Sequence, residues 1–313
     1  MILFIFMLTL PLISARIWQL CLLLPFLLLA ACNSADTTSY QPEFSKTSDS
    51  LAKDYIFGVH PQRNPKKLRE VFGPLVNYLN QHVTDANLVF EASRNFAAYD
   101  KKQASRQFDF ALPNPYGTVK GIESGYQVFG KMGNVGDLRG LIIVRRDSNI
   151  NTIIDLKGTT LSFPGPTALA ATILPKYFLF TQGLNVKEDF KSIYVGSMES
   201  SLTNVFRGNV AAGTAYPPAW RDFNRTQPDL ASQLMVMWQT DAMPDNSLMA
   251  RDDVPQSLVD EVSKALFNMH NTTQGKIVLA KMDLEKFKPA SNTDYSVVSD
   301  FIIKYETQIG SVN

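Results

Sequence analysis

The clearest setting for chemistry in this sequence is a single hydroxyl, Thr167, placed behind the break Pro164-Gly165-Pro166 and ahead of the apolar run Ala168-Leu169-Ala170-Ala171. A short strand over 159–163 leads into the break, and the apolar run reads as a helix over 168–183 with Thr167 at its N-cap. A helix start leaves backbone N–H groups without partners and carries the positive end of the peptide dipole. A hydroxyl beside such donors can hold the anionic or polar head of a ligand. That is the chemistry of capture. The groups that bond-making needs are not assembled: His60, His82 and His270 are scattered without metal-ligand spacing, and no Ser-His-Asp arrangement can be read. We therefore expect no catalytic residue, no metal and no cofactor.

Strands and helices alternate on both sides of this turn. A strand over 54–60 ends at Pro61, and Asn64 then caps a helix whose first residue is Pro65 and whose apolar positions Leu68, Val71, Phe72, Leu75, Val76 and Leu79 recur at helical spacing. Strands follow at 88–92 and 108–112, with a short helix over 97–105 between them. The alternation predicts an α/β domain with a largely parallel sheet. Two apolar strands, 138–144 and 247–250, each run into a charged turn (Arg145-Arg146-Asp147 and Arg251-Asp252-Asp253). They suit two crossovers between lobes. Lobe one is then 54–143 plus 248–313, and lobe two is 144–247, with a strand at 191–195, a helix at 199–207 and a strand at 210–215. Helices over 257–271 and 294–309 return to lobe one.

Composition narrows the partners. The chain has 313 residues, 45% hydrophobic and 19% charged, with 30 Lys plus Arg against 29 Asp plus Glu. A charge so balanced gives no footprint for nucleic acid. The first 31 residues are almost wholly apolar with Arg16 as their only charge, and they read as a signal peptide (1–31), with Met7 as an alternative start. The stretch ends in Leu29-Ala30-Ala31-Cys32, which resembles a bacterial lipobox. The resemblance implies that Cys32 is lipidated and anchors the mature protein to a membrane, and that 32–53 is a flexible tether. Cys21 leaves with the signal, so the mature domain has no thiol pair.

Four further places carry a likeness to a known family. They are Gly58-Val59-His60-Pro61-Gln62 with the helix after it, Asn114-Pro115-Tyr116, the run from Asp147-Ser148-Asn149-Ile150 through Asp155-Leu156-Lys157-Gly158, and Val195-Gly196-Ser197-Met198-Glu199 with Gly208-Asn209-Val210. In this order the chain resembles the phosphate/phosphite/phosphonate type of periplasmic substrate-binding protein, the soluble receptor of an ABC importer. The resemblance implies a type II periplasmic-binding-protein fold: two lobes that close like a flytrap on one small ligand. In open α/β lobes ligands sit at the carboxyl ends of strands, so the loops 113–117, 165–168, 196–199 and 216–220 are expected to converge. The implied ligand residues are Tyr116, Thr167, Ala168, Ser197, Met198 and Tyr216, with Trp220, Leu169, His60, Arg145, Arg146, Asp245 and Asn246 as weaker candidates.

The departures bear on cargo. Where the family has a hydroxyl-rich anion turn, this chain has Pro166-Thr167-Ala168-Leu169. Where the family has a His in its Gly-Ser-His-Glu loop, this chain has Met198, and the family's acidic residue aligns with Tyr216. A dianion needs many charge-assisted hydrogen bonds to offset its dehydration, and Met and Tyr suit a larger, less charged ligand. The leading expectation is a binding lipoprotein in the periplasm or at the cell surface that delivers a small ligand, with a phosphonate-like oxoanion as one candidate, to an ABC permease. The alternatives are a carrier of a lipid or other hydrophobic ligand, and a sensor acting through a signalling partner. An enzyme is the rival from a different class.

Overall fold

The structure, a computed structural model, describes residues 52–134 and 136–312. The signal, Cys32 and all but the end of the tether lie outside the described residues.

Two sheets organise the fold. The first has strands β1 (Lys53–Val59), β2 (Ala86–Ala92), β3 (Phe110–Leu112), β4 (Tyr126–Met132), β10 (Ser247–Arg251) and β11 (Phe287–Pro289), in the order β11-β4-β10-β3-β1-β2. The second has β5 (Arg139–Arg145), β6 (Thr159–Phe163), β7 (Phe190–Tyr194), β8 (Ala212–Ala215) and β9 (Leu234–Ala242), in the order β7-β6-β8-β5-β9. Pairing is parallel among β1, β2 and β3 and among β6, β7 and β8, and antiparallel elsewhere. The expected largely parallel sheet is thus a mixed one. Strands β4, β9 and β11 were not anticipated, although Tyr126–Met132 alternates buried and more exposed positions in strand fashion.

The chain passes between sheets over 133–138 and over 243–246. Strand β5 lies wholly in the second sheet, so the expected division after 143 falls inside a strand and sheet membership moves it to 133–138. A charged turn after an apolar strand marks only where a strand reaches solvent, which explains the misplacement.

One face of the first sheet is covered by α1 (Pro65–Asn80), α8 (Gln256–Asn268) and α9 (Thr273–Lys281). Asn64 caps α1 as expected, its Oδ1 accepting from Lys67 N at 3.0 Å. The other face carries α2 (Phe96–Ala104) and α3 (Pro115–Glu123), whose buried side chains join one core with those of the second sheet. That sheet is flanked by α4 (Leu174–Thr181), α5 (Met198–Phe206), α6 (Pro217–Thr226) and the short α7 (Pro228–Ala231). The last helix, α10 (Ser296–Gln308), packs on α3 and also reaches α4: Phe301 meets the Tyr177 ring edge-on at 5.2 Å, and Tyr177 OH donates to Gln308 at 3.1 Å. It returns to lobe one as expected, but it also touches the second.

Candidate functional site

The turn at Thr167 is built differently from the expectation. The expected helix is present but begins one residue later, at Leu169, and its first turn is π-helical. Residues Leu169–Ile173 form a π-turn that leads into α4, and Ala168, not Thr167, stands at the cap position with no side-chain cap. The cause lies downstream in Pro175. It has no N–H to give to Ala171, so the ladder widens: Ile173 N and Leu174 N reach back five residues to the carbonyls of Ala168 and Leu169, and Thr214 Oγ1 donates to the Ala171 carbonyl instead. Gly140 in β5 makes room, since a Cβ there would lie 2.6 Å from the Ala170 oxygen and 2.7 Å from Pro175.

Released from capping, Thr167 faces the first sheet's helices. Its hydroxyl donates to Asp100 on α2 at 2.6 Å, and its carbonyl accepts from Asn114 Nδ2 at 3.0 Å. Asn114 is itself the cap of α3, accepting from Gly117 N at 3.0 Å. Thr167 and Tyr116 border a cavity of ≈ 340 Å³ with Asp100, Gln103 and Lys120. Burial pushes the Asp100 carboxyl up to about 6 against the pull of the Thr167 hydrogen bond, and burial also pushes the Tyr116 phenol up to about 12.

A second cavity lies between the sheets. Asn114, Ala168, Met198 and Tyr216 all line it, one from each of the four loops expected to converge, together with Leu138 and His60. Leu169 and Asn246 also border it. It encloses ≈ 10 Å³ at the scale of a water molecule's centre, about the least that holds one water. His60 is buried and its Nδ1 lies 3.0 Å from the Leu112 carbonyl, so that nitrogen carries the proton and Nε2 is an acceptor. Burial pushes its pKa down to about 4, so the ring is neutral near pH 7. Asn246 is buried and its Oδ1 has no hydrogen-bond partner among the described residues. The polar side-chain atoms left open on this wall are therefore acceptors. The π-turn beside the cavity starts at Leu169, and a helix start leaves its first backbone N–H groups without intrahelical partners.

The remaining candidates separate. Ser197 caps α5, accepting from Ser200 N at 3.1 Å, and does not border the inner cavity. Trp220 is half-buried on α6, stacked on Phe223 at 6.3 Å. Arg145 pairs with Asp147 at 2.8 and 2.7 Å at the end of β5 away from the cavity, and Arg146 donates to the Ser232 carbonyl. Asp245 is pushed up to about 7 by burial in the second passage between sheets.

A third cavity, ≈ 190 Å³, sits outside the inner one and was not anticipated. Gln62, Arg63, Lys67, Met198, Glu199 and Asp222 are on its walls. Met198 borders both chambers, and Tyr216 OH of the inner chamber donates to Gln62 of the outer one. Asn64 Nδ2 donates to Glu199 at 3.0 Å beside it, a further link between elements of the two sheets.

Comparison with known proteins places this geometry. Residues 57–295 match the family described as ABC transporter, phosphonate, periplasmic substrate-binding protein. The phosphonates-binding periplasmic protein of Escherichia coli (strain K12) is 22% identical over 172 residues, 54% of this chain and 51% of that protein, so the match spans about half the length of that relative. A probable ABC transporter phosphite binding protein of Prochlorococcus marinus (strain MIT 9301) is 19% identical over 82% of this chain and 91% of that protein. In structure, a binding protein component of an ABC phosphonate transporter from Pseudomonas aeruginosa superposes with a TM-score of 0.76 at 18% identity, over 82% of this chain and 88% of that one. The Prochlorococcus protein in complex with methylphosphonate gives 0.73 at 19%, over 81% and 98%. The structural likenesses carry the two-lobed fold of periplasmic binding proteins. The chain belongs to the phosphonate-type periplasmic substrate-binding proteins of ABC transporters.

Proposed function

We propose that the protein is an extracytoplasmic lipoprotein, anchored through Cys32, that captures a small organic ligand between its lobes and presents it to an ABC permease. The observation that carries this reading is the convergence of Asn114, Ala168, Met198 and Tyr216, from loops of both sheets, on one inner cavity. Hydrogen bonds from Thr167 to Asp100, Asn114 to Thr167, Asn64 to Glu199 and Tyr216 to Gln62 join elements of the two sheets around it. These bonds lie beside an apolar core that α2 and α3 share with the second sheet. A ligand drives closure only by binding the closed form more tightly.

The cargo is less polar than a phosphonate. The inner wall carries Leu138, Leu169, Ala168 and Met198, with no side-chain donor left over. The same wall supports the second reading, a carrier of a hydrophobic ligand. Binding, not turnover, is the task this arrangement suits, since the neutral His60 has no nucleophile paired with it among the described residues. Native mass spectrometry of the full chain extracted in detergent tests both readings. A small organic adduct whose loss expands the protein in X-ray scattering supports the receptor. A lipid adduct supports the carrier, and a protein whose dimensions no adduct alters refutes capture between lobes.

A further inference from the structure

The outer chamber holds an arginine that the fold pairs in charge but leaves short of hydrogen bonds. Arg63 is only 7% exposed, and its Nε is buried with no hydrogen-bond partner among the described residues. Its nearest carboxylate, Asp222, stands 3.7 Å from Nε, beyond hydrogen-bond reach, and is drawn instead to Arg225. Two other arginines contrast with it: Arg221 donates to Asp283 at 2.6 Å and to Asp137 at 3.1 and 2.8 Å, and Arg251 donates to Asp109 at 2.7 Å. A buried guanidinium with its donors idle is costly unless something else accepts from them. Next to it, the amide nitrogen of Gln62 is buried and idle as well, its oxygen being occupied by the Tyr216 hydroxyl. Both residues line the same chamber.

We propose that the outer chamber seats the head of a singly charged organic oxyanion, a carboxylate or a sulfonate, held by the Arg63 guanidinium and the Gln62 amide. A guanidinium fork matches the two oxygens of such a group. The charge count favours one negative charge over two. Arg63 and Lys67 share the walls with Glu199 and Asp222, so the walls are formally neutral, and a dianion would leave twice the uncompensated charge that a monoanion leaves. Ala219 and Phe223 give the chamber an apolar side, which suits a carbon-bearing ligand over an inorganic ion. Met198, shared by both chambers, and the Tyr216–Gln62 bond form the partition between them, so the apolar part of the same ligand extends toward the inner cavity. The inference rests on the receptor reading and adds to it where the charge of the cargo is read.

The test is calorimetric titration of the full chain in non-ionic detergent with butyrate, butane-1-sulfonate and inorganic sulfate. Both organic monoanions are expected to bind, with sulfate at least about tenfold weaker. Arg63→Met should weaken the monoanions at least about tenfold. Ala219→Phe, which fills the chamber and leaves its charges alone, should do the same and decides the matter if the Arg63 variant does not fold. Arg145→Met, at the remote end of β5, should leave the affinities unchanged. No binding of either monoanion, equal or tighter binding of sulfate, or unchanged affinity in the folded variants overturns the assignment. Failure of the receptor reading looks different: the monoanions bind through Arg63 while scattering shows no change in dimensions. If an adduct contracts the protein but the monoanions do not bind, the receptor stands and the oxyanion seat falls.

Discussion

Thr167 on the second sheet's side and Asp100 on α2 share a 2.6 Å hydrogen bond across the boundary between the lobes. Burial raises the Asp100 carboxyl from 3.8 to about 6. The folded state therefore holds its proton more tightly than the unfolded chain does. This contribution to stability is fully present below about pH 4 and is lost as pH rises through about 6. Asp100→Asn should accordingly gain thermal stability over the wild type as pH goes from 5 to 8. His60, lowered to about 4, runs the other way, its contribution present above 6.5 and lost as pH falls. Taking the difference between variant and wild type cancels it. A difference that does not change with pH would count against the assignment.

Gly165 abuts Phe96 of α2 so closely that a Cβ would sit 2.9 Å from the ring. The glycine's backbone is ordinary, so the constraint is space alone. Gly165→Ala should act as a wedge, with an overpacking cost of ~1–3 kcal/mol that the protein avoids by opening. X-ray scattering should show a larger radius of gyration than the wild type. An unchanged radius would mean that Phe96 yields instead.

Ser201 is fully buried between β6 and β8, donating to the Ser162 carbonyl at 2.9 Å and accepting from Thr214 N at 2.9 Å. Ser201→Ala leaves both groups short of a partner. A loss of ~1–3 kcal/mol in urea unfolding is expected, and a loss under ~0.5 kcal/mol would show that solvent replaces the hydroxyl.

Inorganic phosphate and methylphosphonate should bind with dissociation constants weaker than ~1 µM. The turn that faces the inner cavity offers one hydroxyl, and that hydroxyl is engaged by Asp100. Tighter binding by calorimetry would mean that backbone N–H groups of the π-turn suffice without side-chain help.

Much of the scaffold was legible because local rules and tertiary packing agree. Asn64-Pro65 announces a capped helix and delivers one. The same pair at Asn114-Pro115 caps α3, although Gly117 and Gly121 dilute the helical pattern after it and make the stretch look like a loop in sequence. At Thr167 the sequence places the helix start one residue early. The residues after it look helical, but Pro175 widens the turn and moves the start, and no count of apolar positions registers a missing N–H eight residues away. Arg63 left no trace in the sequence at all. Its cavity neighbours Asp222 and Phe223 lie far later in the chain, on α6 beside the second sheet, and no local pattern links them to it.

The last helix gives the proposed closing motion its shape. With α10 resting on α3 and touching Tyr177 of α4, the lobes are joined at three places: two strand passages and one packed helix. Two strands alone would let the lobes both swing and twist. A third attachment suppresses the twist and leaves a single swing, as a door hung on an extra pin moves in one arc. The loops that meet at Met198 and Tyr216 then come together in the same register each time, so ligand selection is made by the fit of one fixed mould.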